Sequence, residues 1–82
     1  MRTITIYSTP TCPYCKQLKE YLTEKGIPFT DHDVSADETA RADMERLSGG
    51  LSVPVVVFGK DTPDQEVQIG YDKSKVEEAL QK

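Results

Sequence analysis

The spacing of apolar residues changes period once near the start of the chain, and both of its cysteines stand at the change. Thr3-Ile4-Thr5-Ile6-Tyr7 alternates β-branched and aromatic residues at the period of a strand, and stops at Ser8-Thr9-Pro10. From Pro13 the apolar residues Tyr14, Leu18, Tyr21 and Leu22 recur at helical spacing, while Lys16, Lys19, Glu20 and Glu24 take the other side. Thr11-Cys12-Pro13-Tyr14-Cys15 is therefore the joint through which a strand feeds a helix, and the rest of the chain reads as support for it.

Pro13 suits the first helical position, because it lacks an N–H that would be unpaired there and its φ is already set for the turn. Cys12 then lies just ahead of the helix, where free backbone N–H groups and the positive end of the macrodipole favour a negative sulfur. That makes Cys12 the candidate nucleophile. Cys15 falls about one turn on, within reach of a short disulfide with Cys12, and is the candidate resolving thiol. Two plainer readings compete: half a zinc site, or two buried core cysteines. Structural zinc takes four ligands, and beyond the two sulfurs the chain has only His32 to add, although a dimer sharing one metal stays open. Core cysteines need neither the proline nor the strand-to-helix joint. In a reducing cytosol a vicinal pair with no other cysteine points to redox cycling.

The 82 residues, 1–82, make a single domain. Hydrophobic content of 37% and mean hydropathy of −0.53 are low for a globular chain, but the apolar residues are grouped into strands and stripes, unlike those of disordered segments. A net charge of −4 without any Lys/Arg run argues against nucleic acid and anionic lipid. Met1-Arg2-Thr3-Ile4 enters the strand pattern without an export signal. The longest apolar run, Val53 to Phe58, is too short to span a membrane and contains Pro54. A soluble, cytoplasmic protein is expected.

The first helix should run to about Lys25, ended by a left-handed Gly26 and by Pro28. Ile27 to Val34 reads as a second strand, with Asp31, His32 and Asp33 marking a sheet edge and His32 a solvated residue, not a catalytic base. Ser35-Ala36-Asp37-Glu38 fits a capping box, and Ala40, Met44 and Leu47 continue as a helix to Gly49-Gly50. Its charges, including Arg41, read as a solvated face. Val53-Pro54-Val55-Val56-Val57-Phe58 is a buried strand beginning after its proline, and the turn Gly59-Lys60-Asp61-Thr62-Pro63-Asp64 leads to Glu66-Val67-Gln68-Ile69 as an antiparallel partner. After Gly70, Asp72 caps a last helix in which Val76, Ala79 and Leu80 share a face and Lys82 suits the end. The order β-α-β-α-β-β-α predicts an α/β fold: a four-stranded mixed sheet flanked by three helices, with Cys12 emerging at the carboxyl end of the first strand.

Tyr7-Ser8-Thr9-Pro10-Thr11-Cys12-Pro13-Tyr14-Cys15, then Ser52-Val53-Pro54, then Gly70-Tyr71-Asp72, resembles the glutaredoxin family in order and spacing over nearly the whole chain. The resemblance implies a thioredoxin fold and an enzyme, a thiol–disulfide oxidoreductase that reduces protein disulfides or mixed disulfides. It implies that Cys12 attacks and Cys15 resolves, and that Pro54 is a cis-proline opposite the cysteines, with the backbone of Val53 free to pair with an extended substrate. The substrate-binding residues it implies are Thr11, Pro13 and Tyr14 beside the cysteines, Val53 and Pro54 opposite them, and Gly70, Tyr71 and Asp72 before the last helix.

Two positions depart from the glutathione-binding pattern: Thr9 stands where a Lys is usual, and Tyr71 replaces the second glycine of a Gly-Gly pair. Tyr71 reads either as an aromatic docking surface beside the cysteines or as a partly buried cap under the last helix. The departures make the chain similar to small redoxins that draw electrons from thioredoxin reductase. Its lack of a Gln before the second cysteine and of a Ser-Gly-Phe leaves ribonucleotide reductase unassigned as a partner. No bound cofactor or resident metal is expected, electrons come from thioredoxin reductase or glutathione with the former favoured, and a monomer acting on disulfide-containing proteins is expected. The competing class is a metal or iron–sulfur cluster carrier using the same cysteines across a dimer.

Overall fold

The computed structural model of the chain describes residues 3–50, 52–60, 62–63 and 65–81. Met1, Arg2, Asp61, Asp64 and Lys82, named in the sequence expectations, lie outside the described residues. The elements follow as β1 (Ile4–Ser8), α1 (Pro13–Glu24), β2 (Thr30–Asp33), α2 (Glu38–Ser48), β3 (Val55–Phe58), β4 (Glu66–Ile69) and α3 (Lys73–Leu80). The sheet order is β2-β1-β3-β4, with β1 parallel to β2 and antiparallel to β3, and β3 antiparallel to β4. This is the four-stranded mixed sheet and the element order expected from the sequence.

Strand alternation sorts the core into two layers. Ile4, Ile6, Val56 and Phe58 face Leu18, Tyr21 and Leu22 of α1 with Val76 and Ala79 of α3. Tyr7, Val55 and Val57 face the other way, against Ala40 and Met44 of α2. Successive residues of β3 thus pack on opposite helical layers, which is why its sequence is a continuous apolar run instead of an alternating one. No helix among the described residues is long and apolar enough to cross a membrane.

The ends of α1 follow from its sequence. Gly26 has φ 69°, its N–H donates to Thr23 O at 3.0 Å, and Ile27 N–H donates to Leu22 O at 2.9 Å, closing the helix as Gly permits and a β-carbon would resist. The strand expected from Ile27 joins the ladder only at Thr30. Ile27 and Phe29 pack instead on the α1–α3 layer, and Pro28 has no N–H to give to a ladder. As an edge strand β2 leaves His32 half-buried, its ring stacked on Tyr7 with centroids 5.4 Å apart.

The capping box at Ser35 is corrected: α2 begins two residues later than that box implies, with Asp37 at the N-cap accepting from Ala40 N–H at 3.1 Å. Ser35 is held elsewhere, since its N–H and hydroxyl both donate to Asp33 Oδ1, at 2.9 and 2.6 Å. Asp37→Ala is therefore expected to cost about 1 kcal/mol of stability in urea unfolding. A larger loss from Ser35→Ala than from Asp37→Ala would return the cap to Ser35.

Candidate active site

β1 ends at Ser8, α1 begins at Pro13, and the four residues between them carry Cys12 to the end of the sheet. Cys12 is the N-cap of α1, with φ −85° and ψ 112°. In place of the usual capping oxygen its sulfur accepts from Cys15 N–H at 3.3 Å, so an unpaired donor of the first turn is spent on the thiol. The Cys12 carbonyl accepts from Lys16 N–H at 3.2 Å, and Cys12 N–H donates to Thr9 O at 3.3 Å, which fixes the loop from both sides.

The two thiols differ in surroundings. Cys12 is half-buried and Cys15 is fully buried, and both are free thiols. Burial pushes the Cys15 thiol up to about 12, and its hydrogen bond to Cys12 adds to the rise, while the Thr9 backbone and the Lys19 charge act the other way. Cys15 is therefore held as the protonated thiol at neutral pH.

Val53 reaches the same place from across the sheet: the Cys12 Sγ lies 3.9 Å from Val53 O. The Val53–Pro54 peptide bond is cis. Pro54 is buried, and its carbonyl accepts from Gly70 N–H at 2.8 Å, tying the two loops together. Among the described residues none accepts from the Val53 N–H. Thr11, Pro13 and Tyr14 are exposed around Cys12, with Tyr14 at 59%. Gly70 is half-buried, with φ 82°. Asp72 caps α3, its Oδ1 accepting from the N–H groups of Ser74 at 3.0 Å and Lys75 at 3.3 Å.

Tyr71 lies just ahead of α3, beside its capping residue Asp72. It is half-buried against the α1–α3 layer, its ring 6.4 Å from that of Tyr21, whose hydroxyl donates to Glu77 Oε1 at 3.0 Å. Arg41 is the residue that sequence reasoning passed over. With Thr9, Val34, Ser35, Met44 and Val53 it lines a hollow of about 250 Å3. Its position beside the apolar stripe of α2 was legible, but the approach of the Thr9 and Val53 loops to that side was not. Among the described residues no three or more His, Cys, Asp or Glu side chains gather to hold a metal ion.

The sequence pattern of the Glutaredoxin family matches residues 4–62. A glutaredoxin-like 8.6 kDa protein from the rubredoxin operon of Clostridium pasteurianum is 40% identical over 79 residues, 96% of this chain and 99% of that one. An N-acetyl-S-hydroxy-L-cysteine reductase of Bacillus subtilis is 39% identical over 70 residues, 84% of this chain and 75% of that one. The crystal structure of a glutaredoxin from Archaeoglobus fulgidus superposes with a TM-score of 0.81 at 29% identity, covering all of this chain and 89% of the other. The likeness extends through the whole thioredoxin-type sheet and its helices and includes the strand-to-helix joint that carries both thiols, so the chain belongs to the glutaredoxin family.

Proposed function

We propose that the chain reduces disulfides through a Cys12–Cys15 dithiol cycle. The observation that carries this reading is the 3.3 Å hydrogen bond from Cys15 N–H to the Cys12 sulfur at the N-cap of α1, with the second thiol buried one turn behind the first. The Cys12 thiolate attacks one sulfur of a substrate disulfide RS–SR′, that bond breaks, and R′S⁻ leaves. Cys15, after losing its proton, attacks the Cys12 sulfur. RS⁻ departs, the Cys12–Cys15 disulfide forms, and a reductant returns two electrons. A relative named as an N-acetyl-S-hydroxy-L-cysteine reductase is in keeping with reduction at sulfur.

The substrates are disulfide-containing proteins. An extended segment pairs with the N–H of Val53, from which no described residue accepts, and the exposed ring of Tyr14 gives it apolar area beside Cys12. Thr11, Pro13, Gly70 and Asp72 border that surface. The protein works as a monomer in the cytoplasm, where a reducing poise keeps the dithiol cycling.

For the electron donor, Thr9 supplies no cation to a glutathione carboxylate, and the Tyr71 ring is committed to Tyr21. Arg41, at the hollow beside Thr9 and Val53, restores one cation. One missing charge-assisted hydrogen bond is worth about 1.5–3 kcal/mol, or roughly tenfold or more in affinity. Thioredoxin reductase is accordingly the favoured donor. NADPH oxidation coupled to insulin reduction is expected to run roughly tenfold faster with thioredoxin reductase alone than with glutathione and glutathione reductase. Turnover with millimolar glutathione and none with thioredoxin reductase would overturn the donor assignment and leave the dithiol cycle standing.

A further inference from the structure

Cys15 has to lose its proton before it can attack, yet it sits fully buried on the inner face of α1. Burial and the Cys12 sulfur both oppose its ionisation. The Thr9 backbone and one cation stand against them. Lys19 follows Cys15 by four residues in α1, the spacing that sets two side chains next to each other on a helix face.

The Lys19 ammonium is not left to solvent. Its Nζ lies 3.1 Å from Asp31 Oδ2 of β2, with the two side chains 30% and 32% exposed. Asp31 is fixed from its other oxygen by Ser8, whose hydroxyl donates to Oδ1 at 2.7 Å. Ser8 is 2% exposed and ends β1, at the root of the loop that carries Cys12. In the parallel register Ile6 pairs with Asp31 and Ser8 with Asp33, which sets Ser8 and Asp31 on the face that α1 covers. A buried hydroxyl and a carboxylate thus hold the lysine along the flank of α1 that runs up to Cys15. Among the described residues the charged or titratable groups acting on Cys15 are Cys12, at the N-cap of α1, and Lys19 within it, with Asp31 and Asp33 of β2 facing the ammonium. The Asp33 carboxyl is itself held below the usual carboxylate range, by the Ser35 hydrogen bonds first and by Lys19 among the lesser causes.

The geometry points to Lys19 as a positioning residue of the second chemical step: seated by Asp31 and Ser8, its ammonium stabilises the Cys15 thiolate that attacks the mixed disulfide on Cys12. This rests on the reading of Cys15 as the resolving thiol. In that step Cys15 gives its proton to water, the bond between Cys12 sulfur and RS breaks, and the Cys12–Cys15 bond forms. RS⁻ leaves with the electron pair and takes up a proton, and Lys19 keeps its own proton throughout. The alternative is an ordinary partly exposed ion pair whose only effect is a small gain in stability.

The reaction of the reduced protein with dithiobis(nitrobenzoate) separates these cases. Cys12 releases one equivalent of nitrothiobenzoate by its attack, and Cys15 releases a second by displacing the group left on Cys12. Lys19→Gln is expected to slow the second release roughly threefold at neutral pH and to move its pH profile upward. A one-unit rise in thiol pKa lowers the thiolate fraction tenfold but makes that thiolate roughly threefold more nucleophilic. Lys19→Arg, which keeps the charge, is expected to restore both the rate and the profile. A second release unchanged in Lys19→Gln overturns the inference and leaves the dithiol cycle intact. Slowing without displacement of the profile, or without rescue by arginine, overturns it in favour of a structural ion pair. If the wild-type protein itself releases no second equivalent, the resolving role of Cys15 falls, and the inference with it.

Discussion

Cys12→Ser is expected to reduce disulfide turnover to the uncatalysed rate, whereas Cys15→Ser is expected to keep the first attack and accumulate a mixed disulfide with protein substrates. The asymmetry follows from the positions of the two sulfurs. Cys12 is half-exposed at the N-cap and accepts the Cys15 N–H, so it is the thiol that an incoming disulfide can meet. A serine there keeps the cap but offers a hydroxyl that stays protonated and does not attack sulfur. Cys15 is fully buried and its thiol is pushed up to about 12, so it is in no position to meet a substrate first. It encounters only the sulfur one turn ahead of it. Removing it blocks release of the product and leaves Cys12 bonded to the substrate. Mass spectrometry of each variant after incubation with a disulfide-bonded protein reads the outcome directly. Equal trapping by both variants would dissolve the division of roles.

Phe58→Ala is expected to remove a large share of the protein's stability. Phe58 is 1% exposed at the end of β3, in the layer between the sheet and α1 with α3. Truncating a buried phenylalanine to alanine costs about 3–5 kcal/mol, because the cavity it leaves only partly collapses. A domain of this length has roughly 4–12 kcal/mol in total at the usual ~0.05–0.15 kcal/mol per residue. The melting temperature should fall by about 15 °C or more, with the urea m-value unchanged if the variant still unfolds in one step. Tyr14→Ala removes an equally aromatic side chain from the surface, where it is 59% exposed, and should stay within ~0.5 kcal/mol of the parent. A small loss at Phe58 would mean that the α1–α3 layer repacks around the gap.

Where local chemistry decides an element, the sequence reading and the structure agree closely. The β3 strand begins after Pro54, α1 begins at Pro13, and Asp72 caps α3, because a missing N–H, a preset φ and a carboxylate near free N–H groups act on their own neighbours. The start of α2 was misread because Ser35 and Asp37 are both good cap residues. Their competition was settled by Asp33, which holds the Ser35 hydroxyl and N–H and leaves Asp37 to the helix. Element lengths at the edges were also overread: Ile27 and Phe29 are apolar, but their partners are helix side chains and not a neighbouring strand.

The sequence by itself determined the order of elements, the pair of thiols and their place at the strand-to-helix joint, since each depends on the period of apolar residues and on the residues that begin and end helices. Tertiary structure alone decided which distant residues those thiols meet. Val53 O stands 3.9 Å from the Cys12 sulfur across 41 residues of chain, Arg41 lines one hollow with Thr9 and Val53, and the Tyr71 ring meets that of Tyr21. Ser8 and Asp31, 23 residues apart, meet only because β1 and β2 pair in parallel with one particular register. A shift of that register by one residue would turn Asp31 to the opposite face and take Lys19 away from its partner. The physical reason is range: propensity and capping act over one turn, whereas the surroundings of a buried thiol are set by how the sheet aligns residues that the chain itself keeps far apart.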